Sequence, residues 1–133
     1  MANDVQPPLL TLEFKSFGFK YGDERGDLVF DARFIPNPYY IDSLRPLTGK
    51  DPSCADYVLG FPITQRTLAL LKELVLIMAE GFQEHGRTSL KICIGCTGGQ
   101  HRSVALIEAL AKETAAMGYS VSITHREMDA GRY

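Results

Sequence analysis

The chain has 133 residues, of which 45% are hydrophobic and 23% charged, and its formal net charge is −2. These values fit one domain with a proper core, and they exclude a disordered chain and nucleic-acid binding driven by bulk positive charge. No apolar run approaches the roughly 20 residues that cross a bilayer, Met1-Ala2-Asn3-Asp4 lacks a signal-peptide pattern, and three cysteines form no disulfide framework, so a cytoplasmic protein without a membrane partner is expected.

Residues 1–8, ending in Pro7-Pro8, are expected to be a flexible lead-in, and 9–133 a single domain. Leu10, Leu12 and Phe14 alternate with Thr11, Glu13 and Lys15, which predicts a half-buried strand ending at Ser16-Phe17-Gly18. Tyr21 to Gly26 reads as a loop. Leu28 to Arg33 reads as a second short strand, with Asp31 and Arg33 on the same side. Pro36-Asn37-Pro38 imposes a stiff, extended segment. Asp51-Pro52 starts a short helix to about Leu59, and Thr64 caps a long helix to about Glu84. The inward face of the long helix is assigned to Leu68, Leu71, Leu74, Val75, Met78 and Phe82. A central strand follows over Ser89 to Gly95, then a helix over His101 to Met117 stopped by Gly118, then a strand over Tyr119 to Thr124.

Helix, strand, helix, strand in this order predicts an α/β fold, with an open, mostly parallel sheet flanked by helices and its strands paired through a crossover. Ligands of such sheets sit beyond the carboxyl ends of the strands. Ser16, Asp31, Arg33, Cys96 to Ser103, His125 and Arg126 all fall there.

The run Ile92-Cys93-Ile94-Gly95-Cys96-Thr97-Gly98-Gly99-Gln100-His101-Arg102-Ser103 takes an apolar strand through a glycine-rich turn into a helix. Such a turn presents backbone N–H groups where the helix dipole favours an anion. Arg102 adds a guanidinium fork, and Thr97 and Ser103 add hydroxyls. Thr97, Gly98, Gly99, Gln100, His101, Arg102 and Ser103 are therefore expected to form a phosphate cradle. Cys96, Asn37 and Arg33 are candidates to reach the ligand, and His125 and Arg126 to close the site.

Cys96 and Arg102 also have the Cys-x5-Arg-Ser spacing of cysteine-dependent phosphatases. In that alternative Cys96 is the nucleophile, Arg102 clamps the phosphoryl group and Asp31 is the candidate general acid. Cys93-Ile94-Gly95-Cys96 has C-x-x-C spacing, but Cys93 falls within the strand. His85, His101 and His125 supply no metal-ligand spacing, so no metal is expected. Arg45 and Asp42 are expected to pair on the surface of the proline segment. Tyr39-Tyr40 are read as loop packing, and Lys15, Lys20 and Arg25 are too scattered to mark a nucleic-acid surface.

Ser16-Phe17-Gly18-Phe19-Lys20-Tyr21-Gly22, Phe30 to Tyr40, Leu44-Arg45-Pro46-Leu47-Thr48-Gly49, Gly95 to Ser103, and His125-Arg126 resemble the C-terminal domain of the RapZ/YvcJ family over about Leu9 to Arg126. The resemblance implies a fold like a sugar-phosphate-binding subdomain of phosphofructokinase, small-RNA binding, and sensing of glucosamine-6-phosphate. It implies that Asp31, Arg33 and His101 address sugar hydroxyls or the amine. It also implies a homo-oligomer and a protein partner. Family members carry an N-terminal nucleotide-binding half with a Walker loop. No G-x-x-x-x-G-K-[ST] run occurs here, so nucleotide hydrolysis is not carried over and no cofactor is expected. The resemblance therefore implies a stand-alone counterpart of the C-terminal domain. RNA binding is weakened by the acidic ending Glu127-Met128-Asp129, where RNA-binding members carry lysine and arginine.

Overall fold

The computed structural model describes residues 9–133, so the lead-in expected over 1–8 lies outside the described residues. Four strands, β1 (Thr11–Gly18), β2 (Leu28–Asp31), β3 (Ser89–Cys96) and β4 (Val121–His125), form one sheet in the order β2-β3-β1-β4. Every pairing is parallel, so all four carboxyl ends share one edge. The helices are α1 (Pro52–Leu59), α2 (Pro62–Glu84), α3 (Arg102–Ala116) and the short α4 (Arg126–Asp129). This is the expected α/β fold. The crossover differs in one respect: β3 and β4 do not pair with each other but flank β1. β1 and β3 hold the two inner places, and Leu12, Phe14, Ser16 and Phe17 of the one and Leu90, Ile92, Cys93 and Ile94 of the other are all fully buried.

The core forms on one face of the sheet. Leu12 and Phe14 of β1 and Leu90, Ile92 and Ile94 of β3 pack against Val58 of α1, Leu71 and Val75 of α2, and Leu106 and Leu110 of α3. Each such side chain contributes about 1.5–3 kcal/mol when fully buried. Among the described residues no helix is long and apolar enough to cross a membrane.

Several predicted boundaries move for local reasons. Pro62 occupies the first turn of α2, so the helix starts before Thr64 and Phe61 takes the cap position. Thr64 is buried inside that turn, and its hydroxyl has no partner among the described residues. Asp51 precedes α1 as expected, but its carboxylate accepts from the Thr48 N–H at 2.7 Å instead of capping its own helix. Leu74 is exposed rather than inward-facing. β2 ends at Asp31, so Ala32 and Arg33 belong to the following turn. β4 runs on to His125. α4, four residues long, is too short to carry a helical period and was not foreseen.

The other face of the sheet carries a charge cluster. Lys15, Lys91 and Arg126 all approach the Glu24 carboxylate, at 3.2, 3.4 and 3.2 Å. Burial disfavours the charged form of Glu24, but the Arg25 backbone N–H and Lys15 outweigh it and hold the pKa down to about 2. A carboxylate lowered in this way stabilises the fold fully above its ordinary value of 4.5, and that contribution drains away as the pH falls from 4.5 towards 2. Denaturant unfolding followed between pH 6 and pH 3 should show Glu24→Gln with a flatter acid limb than the wild type. Parallel limbs would show that Glu24 does not carry this loss.

Candidate functional site

At the shared carboxyl edge, β3 runs into the turn Thr97 to His101, and α3 begins at Arg102. The turn folds as it does because Gly99 has φ +70°, a left-handed conformation that glycine adopts without strain. Its backbone also lies against Gly18 and the Glu127 side chain, leaving no room for a Cβ. The first-turn amides of α3 have no intrahelical acceptor, and the side chain of His101, which precedes the helix, does not cap them. The Ser103 N–H instead finds Cys96 Sγ at 3.4 Å.

Arg102 dominates the electrostatics. It is 4% exposed. One terminal nitrogen donates to the carbonyls of Arg33 and Ile35, at 2.8 and 3.1 Å, and the other to Thr97 Oγ1 at 3.4 Å. Its Nε–H is buried without an acceptor, and no carboxylate lies within ion-pair distance of it among the described residues. A buried cation with no carboxylate partner, at a helix start beside a cavity, is an arrangement that an anion in that cavity would neutralise.

A cavity of about 320 Å³ opens here, lined by Cys96, Thr97, Gly98, Gln100, His101, Arg102, Asn37, Lys20, Tyr39 and Tyr40. The first seven were expected from the sequence, although several reach it by unexpected routes. Asn37 caps the 3-10 turn Pro38–Tyr40 by accepting from the Tyr39 N–H at 3.1 Å, and so aims the two tyrosines. Gln100 and His101 turn away to strap down a loop. Gln100 Nε2 donates to the carbonyls of Arg45 and Leu47, and His101 Nε2 sits 3.0 Å from the Arg45 carbonyl. Burial pushes the His101 pKa below its ordinary value, against the pull of these carbonyls. The strap lies close because Gly49 sits against the backbone of His101 and Ala105, where a Cβ would overlap both.

Other expected site residues are engaged elsewhere. Ser16 is fully buried on the helix side of the sheet, its Oγ 2.6 Å from His125 Nδ1. His125 Nε2 in turn lies 2.7 Å from Glu108 Oε2. Arg126 is committed to Glu127, Glu24 and the carbonyls of Gly18, Gly22 and Asp23. Asp31 and Arg33 form a bidentate pair at 2.7–3.1 Å, with the guanidinium 4.1 Å from the Phe19 ring centre. Arg33 thus serves the site through its carbonyl, which holds Arg102. The Arg33 hydrogen bonds depress the Asp31 pKa, which keeps Asp31 ionised and unsuited to donate a proton. Gly99 and Ser103 stand behind the cavity wall, and Ser103 Oγ lies 3.1 Å from Cys96 Sγ.

Lys20, Tyr39 and Tyr40 are the cavity residues that the sequence did not single out. Tyr40 is 78% exposed, which corrects its assignment to loop packing. The stiff Pro36-Asn37-Pro38 segment was the available signal, since it fixes where the tyrosines emerge. Cys93 and Cys96 are three apart on one strand and so face opposite ways, and both are free thiols. No cluster of three metal-ligating side chains occurs among the described residues. The Arg45–Asp42 pair forms as expected, at 3.0 Å.

The family model described as the RapZ C-terminal domain matches residues 10–129. The chain belongs to this family. Its similarity extends to proteins named nucleotide-binding protein from Bacillus licheniformis, 51% identical over 120 residues, and from Caldicellulosiruptor bescii and Listeria monocytogenes, 48% and 49% identical over 121 residues. In each case 90% of this chain is covered, and the chain spans only 40–42% of the relative's length. The matched stretch of this RapZ C-terminal domain contains the whole cavity lining. It also contains Glu127, a carboxylate only 1% exposed that accepts from the Gly18 N–H at 2.9 Å. One of the acids weighed against RNA therefore points inward and supports the turn. Tyr133 supports it too, donating to the Gly99 carbonyl at 2.9 Å.

Proposed function

We propose that the chain is a regulatory binding domain that takes a small phosphorylated metabolite, an amino-sugar phosphate such as glucosamine-6-phosphate, with its phosphate at the Thr97–Ser103 turn. The observation that carries this is the buried Arg102, unpaired by any carboxylate among the described residues, in the first turn of α3 beside the cavity. A cavity of about 320 Å³ is large enough for a monosaccharide phosphate. The lining tyrosines offer flat apolar faces for a sugar ring, and Thr97, Asn37 and Lys20 offer polar contacts. The amino-sugar assignment rests on the family resemblance. The free, buried thiols fit a cytoplasmic setting. Titration calorimetry with glucosamine-6-phosphate, inorganic phosphate and a nucleoside monophosphate tests the proposal. Saturable binding of the sugar phosphate is expected, and failure of all three would overturn it. In this reading the loaded cavity signals to a small RNA, and an electrophoretic shift at low salt that responds to the sugar phosphate is the corresponding result.

The contact between Cys96 Sγ and Ser103 Oγ favours a second reading, a phosphoryl hydrolase using the Cys96 thiolate. Asp31, held ionised by Arg33, argues against it. Cys96→Ser separates the two. A binding domain keeps its affinity within about threefold, whereas a hydrolase loses phosphate release from p-nitrophenyl phosphate.

A further inference from the structure

We propose that the free edge of β4 takes up an extended segment of a partner protein as a fifth strand, the inserted face of that segment being apolar with an acidic side chain among the apolar ones. β4 is an outer strand and pairs only with β1. Leu12 lies opposite Val121 and donates to the Ser120 carbonyl at 2.9 Å, so the parallel ladder turns the peptide groups of Ser122 and Thr124 towards β1. The N–H and C=O groups of Val121 and Ile123 therefore point out of the sheet edge, and nothing among the described residues bonds to them. Sheet edges are ordinarily blunted by charge, by proline or by a covering element, whereas Ile123 stands 42% exposed on this one.

The side chains of Val121 and Ile123 share a face with that of His125, which meets Ser16 and Glu108 on the helix side of the sheet. On that side they line a groove of about 920 Å³, separate from the anion cavity. Ala105, Ala109 and Lys112 line it from α3. Alanine at two of these positions leaves the space that alternate side chains of an added strand would fill, while the edge peptide groups hold its backbone. The charges of the groove decide what that strand carries. Glu108 is engaged by His125 and Glu113 by Lys72. Lys50 and Lys112 are exposed and form no ion pair among the described residues. The charge left over is positive, so the occupant brings a carboxylate together with its apolar side chains.

Fluorescence anisotropy on the whole chain tests this with a labelled peptide, Thr-Val-Thr-Glu-Thr-Val-Thr, and a twin that carries lysine in place of the glutamate. The acidic peptide should bind saturably and about tenfold more tightly than its twin, and Lys112→Glu should reverse that order. Ile123→Pro removes an outward N–H and no hydrogen bond between β1 and β4. It should weaken the acidic peptide at least about tenfold with an unchanged circular dichroism spectrum. The reversal by Lys112→Glu changes only an exposed side chain, so it remains decisive if the proline variant folds poorly. No saturable binding of the acidic peptide, equal binding of the twins, an order that Lys112→Glu leaves unchanged, or full binding by a folded Ile123→Pro would each overturn the proposal. So would sedimentation showing a second copy of the chain on this edge, in a dimer that Ile123→Pro dissolves.

Discussion

Arg102→Ala should reduce sugar-phosphate affinity by at least about 100-fold, in line with the loss of a charge-assisted, multidentate contact worth about 3 kcal/mol. Alanine removes the buried guanidinium at the turn and also frees the carbonyls of Arg33 and Ile35. The second effect costs stability, by about 1–3 kcal/mol for carbonyls left buried without donors. Arg102→Lys separates the two. Lysine keeps the charge but lacks the fork that reaches two carbonyls and Thr97 together, so it should recover part of the affinity and little of the melting temperature. Calorimetric titration beside thermal unfolding reads both quantities. Unchanged affinity in both variants would remove the anion from this turn.

Gly99→Ala should damage both fold and site. The new Cβ would lie 2.7 Å from Glu127 Cγ and from the Gly18 nitrogen, and the φ of +70° would strain any side chain. Backbone strain alone costs about 1–3 kcal/mol, and overpacking adds about as much again. Glu127 cannot retreat freely, because it accepts from Gly18 and holds Arg126. The expected result is a loss of several degrees in melting temperature together with loss of phosphate binding. Gly98→Ala makes the control: its Cβ meets nothing, so it should melt close to the wild type. Equal melting of Gly99→Ala and Gly98→Ala would mean that the turn is not held from behind.

The parts of the structure legible in the sequence are those governed by local rules. Alternation in Leu10 to Lys15, helical spacing in Leu68 to Phe82, and a double glycine between strand and helix each encode their own element. The parallel edge follows from their order, and it collects Cys96 to Arg102 at one place. What could not be read was the use to which each polar side chain is put. His125 and Arg126 reach the correct edge but find partners there: Ser16 and Glu108 for one, Glu24 and Glu127 for the other. Those partners lie 17 to more than 100 residues away in the chain, except for Glu127, so no window of sequence displays the pairing. The sequence offers Asp31 and Arg33 as two ligand contacts, and in the structure they pair with each other. The tyrosines were underestimated because exposure, not composition, distinguishes a cavity rim from packing. Leu74 was assigned inward because a stripe of leucines on one helix reveals two apolar faces only after one is seen to be covered.

The turn at Gly99 is braced by Gly18 from the first strand and by Glu127 and Tyr133 from the last residues of the chain. Occupancy of the pocket is therefore linked to the seating of β1 and α4, since loosening either undoes the same few amides. A saturating metabolite would raise the threshold for global denaturation by RT ln(1 + [L]/Kd) and would slow proteolysis that proceeds through the opened state.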